Sequence, residues 1–582
     1  MADTSLTIQS PNSISKREYL FLFVIFLLFG IYHSILYWGH QPVPHFDFNC
    51  FANLGHQMLD FQIPSNFKRV PVVGIFQVLL GKVAGGPSPD FAGGWLLNSI
   101  MHPLTIVFFW LMGRKIIGNA AIWFALIASI NPWVIQLMTE AIVETTLLCG
   151  VVITFYFIFR GSNWAYLTAS ITTMVRYEGA ALILAVFVLD MIRKQGFKPK
   201  LFSFAYSAAA SVPLAVWMLG TVILWKSQGS THYLKELGAA SGGEFIFVKY
   251  LHLIWQVGFY PLLVLPPNSD GQALKWFAAA SKIIVSLTFL WGCIYGLYKK
   301  QWNILALLIF FIPYICIHAL HSFAFHRFCM IVSWIPLLIS IYGLKCLWDI
   351  INKRKILPKA VIVILQGAVI VISFIWLVHL TPLLPKLTVM SKVSASLPYV
   401  SAGVAFLFFV AIVIRDQFKT LWPNMGVLSF VILVILSNQF VIAGIVGNGQ
   451  RDIEYKYLID WYLDNAEGEN MALTAPVILQ TMSPKNKNHF IHTNTFEADS
   501  PIDFVKECYQ RKIRYVAWDS RMGLTPKNRY YGYWKMENIA PLINPKDNGP
   551  YKFVVQLRAN KRRWMNVFEL RRSRANSPVK AP

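Results

Sequence analysis

Several acidic and basic side chains lie inside or directly beside strongly apolar stretches, where a charge is costly and usually has a function or a partner. They occur in four short segments: PHFDFNC (44–50), NPWVIQLMTEAIVE (131–144), TMVRYEG (173–179) and HSFAFHRF (321–328). With the loop that follows the first segment, they supply His45, Asp47, Asp60, Lys68, Arg69, Glu140, Glu144, Arg176, Glu178, His321, His326 and Arg327. Carboxylates and cations gathered at one membrane face suit acid–base chemistry on a hydroxyl beside a phosphate.

Each candidate also has a purely structural interpretation. Asp47 precedes NCFANL and would cap an interfacial helix. Glu140 would be an acidic residue in the first turn of a helix, where the helix dipole favours it. Arg176 and Glu178 would pair with each other. The apolar runs beside them are about 14 residues long, which is short for crossing about 30 Å of hydrocarbon and favours a pair at depth beside a cavity.

The remaining candidates leave similar alternatives. Arg327 would snorkel to lipid headgroups, but a guanidinium also binds phosphate through two parallel hydrogen bonds. His318 and His321 would share one helix face, yet no third ligand is apparent, so interfacial histidines are the better interpretation. The seven cysteines are scattered without CxxC spacing. No metal site is predicted and no cofactor is required, although carboxylates and a phosphate could together hold a divalent cation.

The composition is that of a polytopic membrane protein. Of the 582 residues, 56% are hydrophobic and only 14% are charged, and the mean hydropathy is +0.50. Such a chain is too apolar for a soluble multidomain protein. The formal net charge of +24 would indicate nucleic acid as a partner of a soluble protein, but much of it stands at the ends of apolar runs, where basic residues orient membrane segments. Membrane lipids, and not nucleic acid, are therefore the expected surroundings.

Apolar runs and basic clusters predict about thirteen membrane spans with the N-terminus in the cytoplasm. Residues 1–17 form a cytoplasmic tail, and the apolar run that follows is a retained signal anchor. The other spans are predicted near 92–113, 117–138, 139–159, 162–175, 179–192, 201–225, 276–298, 303–320, 328–348, 356–380, 399–414 and 425–446. Basic clusters such as Arg114 and Lys115 mark the cytoplasmic turns, which places the first loop, 39–91, on the outer side.

The domain organisation follows from this topology. Residues 18–446 are predicted to form the transmembrane domain, with 245–267 an interfacial or re-entrant helix because Lys249, His252 and its prolines disfavour a span. Residues 447–570 are predicted to form a small extracytoplasmic α/β domain, and 571–582 a disordered tail. Within that domain the patterns predict strands at 470–479, 513–519 and 552–557 and a helix at 504–512.

The order of elements resembles a known family. Asp47 is followed by FANLGHQML (51–59), RVPVVGIFQVLLGKVAGG (69–86), GRKIIG (113–118), NPWVIQLMTEAIVE (131–144), VRYEGAALIL (175–184) and HRFCMIVSWIPLL (326–338). This order is similar to that of the multispanning glycosyltransferases of the GT-C type. Among these it is most similar to the bacterial branch related to protein O-mannosyltransferases and aminoarabinose transferases. The resemblance covers residues 40–345 well, and its individual motifs are degenerate.

The resemblance implies an enzyme that transfers a sugar from a polyprenyl-phosphate donor to a glycan, lipid or protein acceptor, usually with inversion. Asp47 matches the family's catalytic carboxylate in the first outer loop and would be the general base. The donor phosphate would be bound by Arg69, Arg176, His326 and Arg327, and the substrate by His45, Asp60, Glu140 and Glu178. The expected location is a bacterial inner membrane, with the active site on the extracytoplasmic side.

Two features depart from relatives. Phe48 follows Asp47 where many relatives carry a second acidic residue, so any role of that carboxylate would pass to Glu140 or Asp60 or be absent. No string like WWDYG occurs, which argues against an oligosaccharyltransferase that transfers whole glycans. A flippase or transporter of polyprenyl-linked glycans is the alternative function, because it would share the spans and basic residues. It would not need a base-bearing first loop or an outer α/β domain.

Overall fold

The protein forms two compact units in the computed structural model, which describes residues 16–64, 67, 69–228, 272–319, 326–353, 452–520, 542–560 and 563–571 and isolated positions between 248 and 368. The helical unit takes its residues from 1–38, 53–76 and 95–449. The sheet unit takes its residues from 39–52, 77–94 and 450–582. Each unit is described separately below.

Helices account for almost all of the described chain up to residue 353. They are α1 (Lys16–Leu36), α2 (Phe48–Leu59), α3 (Val72–Ala84), α4 (Pro89–Ile117), α5 (Ala121–Ser129), α6 (Pro132–Thr139), α7 (Glu144–Arg160), α8 (Trp164–Thr173), α9 (Ala180–Arg193), α10 (Phe197–Gln228), α11 (Gln272–Tyr298), α12 (Trp302–Ala319), α13 (His326–Met330) and α14 (Trp334–Lys353). The helices α2 and α3 each begin in one unit and end in the other.

Four helical stretches in the described part of the chain are long and apolar enough to cross a membrane: Lys16–Leu36, Pro89–Ser129, Phe197–Ile223 and Arg327–Ile351. Three shorter apolar helices are Val72–Ala84, Lys282–Tyr298 and Trp302–His318. The chain is therefore a helical membrane protein. The predicted spans 356–380, 399–414 and 425–446, and the segment 245–267 apart from four single positions, lie outside the described residues, so the total of about thirteen spans stays a prediction.

The structure corrects the predictions around residue 140. The predicted span 117–138 is two short helices, α5 and α6, because Asn131 interrupts the helix and caps α6. Its side-chain oxygen accepts a hydrogen bond from the Trp133 N–H at 2.9 Å, and Pro132 occupies the first helical turn. Glu140 follows α6 with extended backbone (φ −88°, ψ 124°), whereas Glu144 begins α7. The interpretation of Glu140 as a first-turn acid is wrong, and Glu144 holds that position.

A five-stranded sheet of order β2-β1-β3-β5-β4 organises the sheet unit. Its strands are β1 (Asn470–Leu473), β2 (Phe490–His492), β3 (Ile513–Asp519), β4 (Tyr551–Asn560) and β5 (Arg563–Leu570). The strand β1 pairs in parallel with β2 and β3, while β5 pairs antiparallel with β3 and β4. Its helices are α15 (Ile453–Asn465), α16 (Pro476–Met482) and α17 (Pro501–Gln510).

Alternate residues of β3 supply two separate apolar cores, as the period of two in a strand requires. Tyr515 and Ala517 pack in a core with α15 and α16, and Val516 and Trp518 pack in another with α17. Val43 from the first loop belongs to the former core. The Ser88 hydroxyl, also from the N-terminal part of the chain, donates to the Met482 carbonyl at 2.6 Å. The sheet unit therefore includes part of the loop after α1.

The predicted elements of this region are mostly confirmed. The strands at 513–519 and 552–557 and the helix at 504–512 correspond to β3, β4 and α17. The predicted strand 470–479 is wrong beyond Leu473, because Pro476 starts α16 and its fixed φ suits a helix's first turn. The sequence patterns did not predict α15 or β5. The predicted disordered tail lies outside the described residues apart from Arg571.

A buried asparagine provides a test of the sheet unit. The Asn566 amide donates to the carbonyls of Leu542 and Ile543 at 3.2 and 2.9 Å and accepts from the Gln556 amide at 2.9 Å. We expect Asn566→Ala to lower the free energy of unfolding of this unit by about 2 kcal/mol, because buried polar partners lose their hydrogen bonds. Amide hydrogen exchange in β5 of the full chain measures this change. Asn465→Ala, at an exposed position, is the control and should leave the exchange rates unchanged.

Candidate functional site

The segment TMVRYEG forms a tight connection between α8 and α9. Arg176 has extended backbone (φ −157°, ψ 143°), and a single 3-10 turn, Tyr177–Gly179, leads into α9. Gly179 lies so close to α8 that a Cβ atom there would be 2.7 Å from the backbone of Thr172. A side chain at this position would force the connection away from α8. The glycine therefore allows the turn that carries Arg176 and Glu178.

Arg176 bridges two buried carboxylates. Its Nη1 lies 2.9 Å from Glu144 Oε1, at the start of α7. Its Nε donates to both oxygens of Glu178 at 3.2 and 3.1 Å, and its Nη2 lies 3.0 Å from Glu178 Oε1. The sequence had left open whether Arg176 pairs with Glu178, and the structure shows that it does. The same guanidinium also binds Glu144.

Two further side chains join this group from the C-terminal half of the helical unit. Arg327 Nε, on α13, lies 3.4 Å from the same Glu144 Oε1. His318 Nε2, near the end of α12, lies 3.4 Å from Glu178 Oε1. We call these five residues, Glu144, Arg176, Glu178, His318 and Arg327, the charge cluster.

An aromatic ring packs at the centre of the charge cluster. The guanidinium carbons of Arg176 and Arg327 lie 4.5 and 5.1 Å from the centroid of the Phe328 ring. The imidazole of His318 stacks on the same ring, with centroids 4.5 Å apart and an interplanar angle of 21°. The Tyr314 hydroxyl donates to the Phe328 carbonyl at 3.1 Å. The Phe328 ring thus lies between the side chains of Arg176, Arg327 and His318 and takes the place of water beside them.

Burial makes the charge cluster unusual. The side chains of Glu144, Glu178 and His318 are only 1–2% exposed, whereas those of Arg176 and Arg327 are 12% and 19% exposed. Two carboxylates and two guanidinium groups balance in charge, as burial requires. Glu144 Oε2 is buried and has no hydrogen-bond partner in the described residues. That oxygen could accept a hydrogen bond from a ligand hydroxyl.

The predicted general base, Asp47, belongs to the sheet unit. Asp47 immediately precedes α2, and its backbone N–H donates to His45 Nδ1 at 3.1 Å. Its carboxylate lies 3.7 Å from the same ring nitrogen, and both side chains are about one-fifth exposed (22% for Asp47 and 23% for His45). A carboxylate next to an imidazole at the start of a helix is accessible to a substrate. The structure therefore brings two of the predicted site residues, His45 and Asp47, side by side.

The remaining predicted site residues have diverse surroundings. Glu140 is buried, and its main-chain carbonyl accepts a hydrogen bond from the Asn98 amide. Asp60 is exposed at the end of α2, in the helical unit. The main-chain carbonyl of Arg69 accepts from the Trp217 indole at 3.0 Å. Lys68, His321 and the side chain of His326 lie outside the described residues.

The sequence marks Glu144 only as a charged residue of an apolar stretch and predicts Glu140 as a substrate ligand. The four-residue separation of these two acids offers no way to choose between them, because it is the extended backbone at Glu140, where α6 ends, that lets α7 begin at Glu144. His318 had been interpreted as an interfacial histidine, whereas it is buried against Glu178. Among the described residues, no three His, Cys, Asp or Glu side chains are grouped so that they could hold a metal ion.

Neither a family model nor a curated protein matches this sequence. Several solved structures, in contrast, are similar to this chain. ArnT from Cupriavidus metallidurans, in the apo state, superimposes with a TM-score of 0.53 at 12% identity, over 94% of this chain and 97% of that chain. The same protein bound to undecaprenyl phosphate gives a TM-score of 0.47 at 13% identity, over 95% of this chain and 98% of that chain. The Archaeoglobus fulgidus oligosaccharyltransferase, in the apo form, gives a TM-score of 0.49 at 13% identity, over 93% of this chain and 73% of that chain.

The match to apo ArnT extends over nearly the full length of both chains, so this chain has the ArnT fold. The fold implied by the order of sequence motifs, that of a GT-C type glycosyltransferase, is confirmed.

Removing Arg176 should destabilise the helical unit. We expect Arg176→Leu to cost about 3–5 kcal/mol, because it leaves Glu144 and Glu178 buried beside fewer cations. The buried thiols Cys149 and Cys329 allow the change to be followed as the temperature at which a thiol-reactive dye gains access in detergent.

The double variant Arg176→Leu/Glu178→Leu should recover part of this loss, because it removes one of the stranded carboxylates. Arg160→Gln, at an exposed position on the end of α7, is the control and should unfold like the parent. If Arg176→Leu alone also unfolds like the parent, the charge cluster does not stabilise the unit.

Proposed function

We propose that this chain is a membrane glycosyltransferase. In this proposal it takes a sugar from a polyprenyl-phosphate donor and transfers it, with inversion, to an acceptor hydroxyl on the extracytoplasmic side of a bacterial inner membrane. Asp47 is the general base. Arg327 and Arg176, with contributions from Arg69 and His326, bind the donor phosphate, and Glu144, Glu178, Glu140, His45 and Asp60 contribute to substrate binding.

The observation that carries the proposal is the convergence of Arg176 and Arg327 on one buried carboxylate oxygen, Glu144 Oε1, in a chain with the ArnT fold. ArnT is an aminoarabinose transferase, and its structure has been solved with undecaprenyl phosphate bound. Two guanidinium groups at an apolar depth offer paired N–H donors that match a lipid phosphate in geometry. The order of sequence motifs supports the same class of donor.

Arg327 is the member of the charge cluster best suited to contact the donor. Its side chain is 19% exposed, whereas the Glu144 side chain beneath it is 1% exposed. Its Nε lies 3.4 Å from Glu144 Oε1. A partly exposed guanidinium at the edge of a buried ion cluster is accessible to a ligand phosphate. Arg176, held by two carboxylates, is better suited to keep the cluster in place.

The proposed reaction is a single displacement. The Asp47 carboxylate removes the proton from the acceptor hydroxyl as its oxygen attacks the anomeric carbon. The bond from that carbon to the phosphate oxygen breaks, and its electron pair leaves with the polyprenyl phosphate. The arginines stabilise the negative charge that grows on this phosphate. In this proposal Glu144 Oε2, which has no hydrogen-bond partner in the described residues, accepts a hydrogen bond from a sugar hydroxyl.

The test of the base compares two aspartates near the ends of one helix. Asp47 precedes α2 and Asp60 follows it. Asp47→Asn should lower the rate of sugar transfer by about 10²–10⁴, the usual contribution of a general base. Asp60→Asn is the comparison and should lower transfer only a fewfold, because Asp60 is proposed to assist in binding and not to remove the proton. The measurement is transfer from a polyprenyl-phosphate sugar to an acceptor, with purified protein in detergent.

The two outcomes have distinct meanings. If Asp47→Asn transfers sugar as fast as the parent, Asp47 is a helix cap and the base assignment is wrong. If the parent transfers no sugar in detergent but moves the donor lipid across vesicles, the alternative of a flippase is correct, because a flippase breaks no glycosidic bond.

The donor site is tested at Arg327. We expect Arg327→Ala to lower kcat more than it raises KM for the donor, because the phosphate gains charge in the transition state. Arg327→Lys should recover only part of the rate, because an ammonium keeps the charge but cannot make two parallel hydrogen bonds.

A matched double variant separates this role from simple charge balance. Arg327→Ala leaves the Glu144 carboxylate with less compensating positive charge. Adding Glu144→Gln removes the negative charge of that carboxylate at nearly constant shape. If Arg327 acts on the donor, Arg327→Ala/Glu144→Gln should stay slow. Recovery of the parental rate in the double variant would mean that Arg327 only neutralises Glu144.

A further inference from the structure

A small basic pocket is lined by residues of the helical unit and lies at the end of α7 opposite to Glu144 of the charge cluster. It has a volume of about 260 Å³ and is lined by Tyr19, Leu111, Arg114, Lys115, Tyr156 and Arg160. Three of these six side chains are cationic and none carries a carboxylate. Tyr19 is in the first turn of α1, Arg114 and Lys115 are near the end of α4, and Arg160 ends α7. Three helices thus contribute to it.

Aromatic rings hold the arginines of this basic pocket in place. The Arg114 guanidinium carbon lies 5.6 Å from the centroid of the Tyr19 ring and 5.5 Å from that of the buried Trp110. The Tyr19 and Trp110 rings contact each other, with centroids 5.1 Å apart. Arg160 Nη1 donates to the Tyr156 hydroxyl at 2.8 Å. Such contacts orient a guanidinium before a ligand arrives and so reduce the entropy lost on binding.

The ends of these helices also define the position of the basic pocket relative to the membrane. The apolar helix α1 begins at Lys16, α4 ends at Ile117 and α7 ends at Arg160, all close to the pocket. We therefore place the pocket where the hydrocarbon core gives way to the headgroup region. The positive-inside rule places the turns after α4 and α7 in the cytoplasm. Lys16 and Arg17, in the turn of α1 before Tyr19, add two cations, and Glu18 adds one anion.

We propose that the basic pocket binds the phosphate headgroup of an anionic phospholipid from the cytoplasmic leaflet. A phosphodiester would accept two hydrogen bonds from Arg114 and further charge–charge contacts from Lys115 and Arg160. Tyrosine hydroxyls can donate to the same oxygens or to a glycerol hydroxyl. A volume of about 260 Å³ suits a headgroup, being below the range of about 300–1,000 Å³ that larger ligands occupy.

The chemistry of the lining excludes zwitterionic headgroups as preferred ligands. An ammonium or choline group would meet three cations and no carboxylate among the lining residues. A headgroup with one or two phosphates and no cation, as in phosphatidylglycerol or cardiolipin, avoids this repulsion. The inference is independent of the proposed glycosyltransferase activity, because it rests on residues outside the charge cluster and the loop that carries Asp47.

The experiment measures lipid binding to the full chain in detergent by native mass spectrometry, with cardiolipin or phosphatidylcholine added in increasing amounts. The parent should bind cardiolipin at least tenfold more tightly than phosphatidylcholine. Arg114→Gln/Lys115→Gln/Arg160→Gln should weaken cardiolipin binding by about 100-fold, since each cation near a lipid phosphate contributes about fivefold. Lys115→Gln/Arg160→Gln, at two exposed positions, should weaken it by about 25-fold on the same basis and tests the pocket if the triple variant unfolds.

The control removes the same amount of charge elsewhere. Lys198, Lys200 and Lys299 are exposed and lie on or beside turns also predicted to be cytoplasmic. Lys198→Gln/Lys200→Gln/Lys299→Gln should leave cardiolipin binding within about twofold, as expected for charges outside a specific site. Equal weakening by this control would mean that binding follows overall surface charge, and the pocket would not be a lipid site.

A soluble phosphate is distinguished in the same assay. Glycerol 3-phosphate at millimolar concentration should not displace cardiolipin, because it lacks the acyl chains that hold a lipid at this depth. Complete displacement would assign the basic pocket to a soluble phosphate compound and overturn the lipid assignment. Unchanged cardiolipin binding by both pocket variants would overturn the site itself.

Discussion

A charge buried among apolar side chains is stable only beside an opposite charge, and this constraint shapes the helical unit around Arg176. One guanidinium binds Glu144 at the start of α7 and Glu178 before α9, while His318 of α12 and Arg327 of α13 contact the same two carboxylates. Elements separated by up to 183 residues, from Glu144 to Arg327, are thereby held at one point. A buried charge that loses its partner is costly, so the positions of these charged side chains depend on one another.

The turns between short helices place these charged side chains in the interior of the helical unit. Asn131 and Pro132 end α5 and begin α6, and the extended backbone at Glu140 ends α6, so that α7 begins at Glu144. Gly179 lets the connection between α8 and α9 lie against Thr172, and this connection carries Arg176 and Glu178. Helices that run without interruption would have directed these residues around their surfaces. The interruptions therefore serve the proposed donor site, because they gather polar side chains that no single helix could present together.

The sheet unit depends on a different interaction, the burial of apolar side chains from two distant parts of the chain. Val43 of the first loop packs with Tyr455, Leu458 and other residues of the C-terminal sheet and its helices, and Ser88 hydrogen-bonds Met482. Asp47 is four residues beyond Val43. The folding of the C-terminal sheet thus stabilises the segment that carries the proposed base.

The sequence by itself determined the features that depend on local composition and period. Apolar runs and basic clusters indicated a helical membrane protein, alternating and helical patterns located β3, β4 and α17, and charges in apolar stretches marked Arg176, Glu178 and Arg327. Local patterns could not choose Glu144 over Glu140, because both lie in one apolar stretch and only the packed position of α7 distinguishes them. They also could not show that His318 meets Glu178 across 140 residues, or that Val43 belongs to the core of the C-terminal sheet. Those contacts were decided by the tertiary structure alone, since ion pairing and apolar burial act through space and leave no periodic trace in the chain.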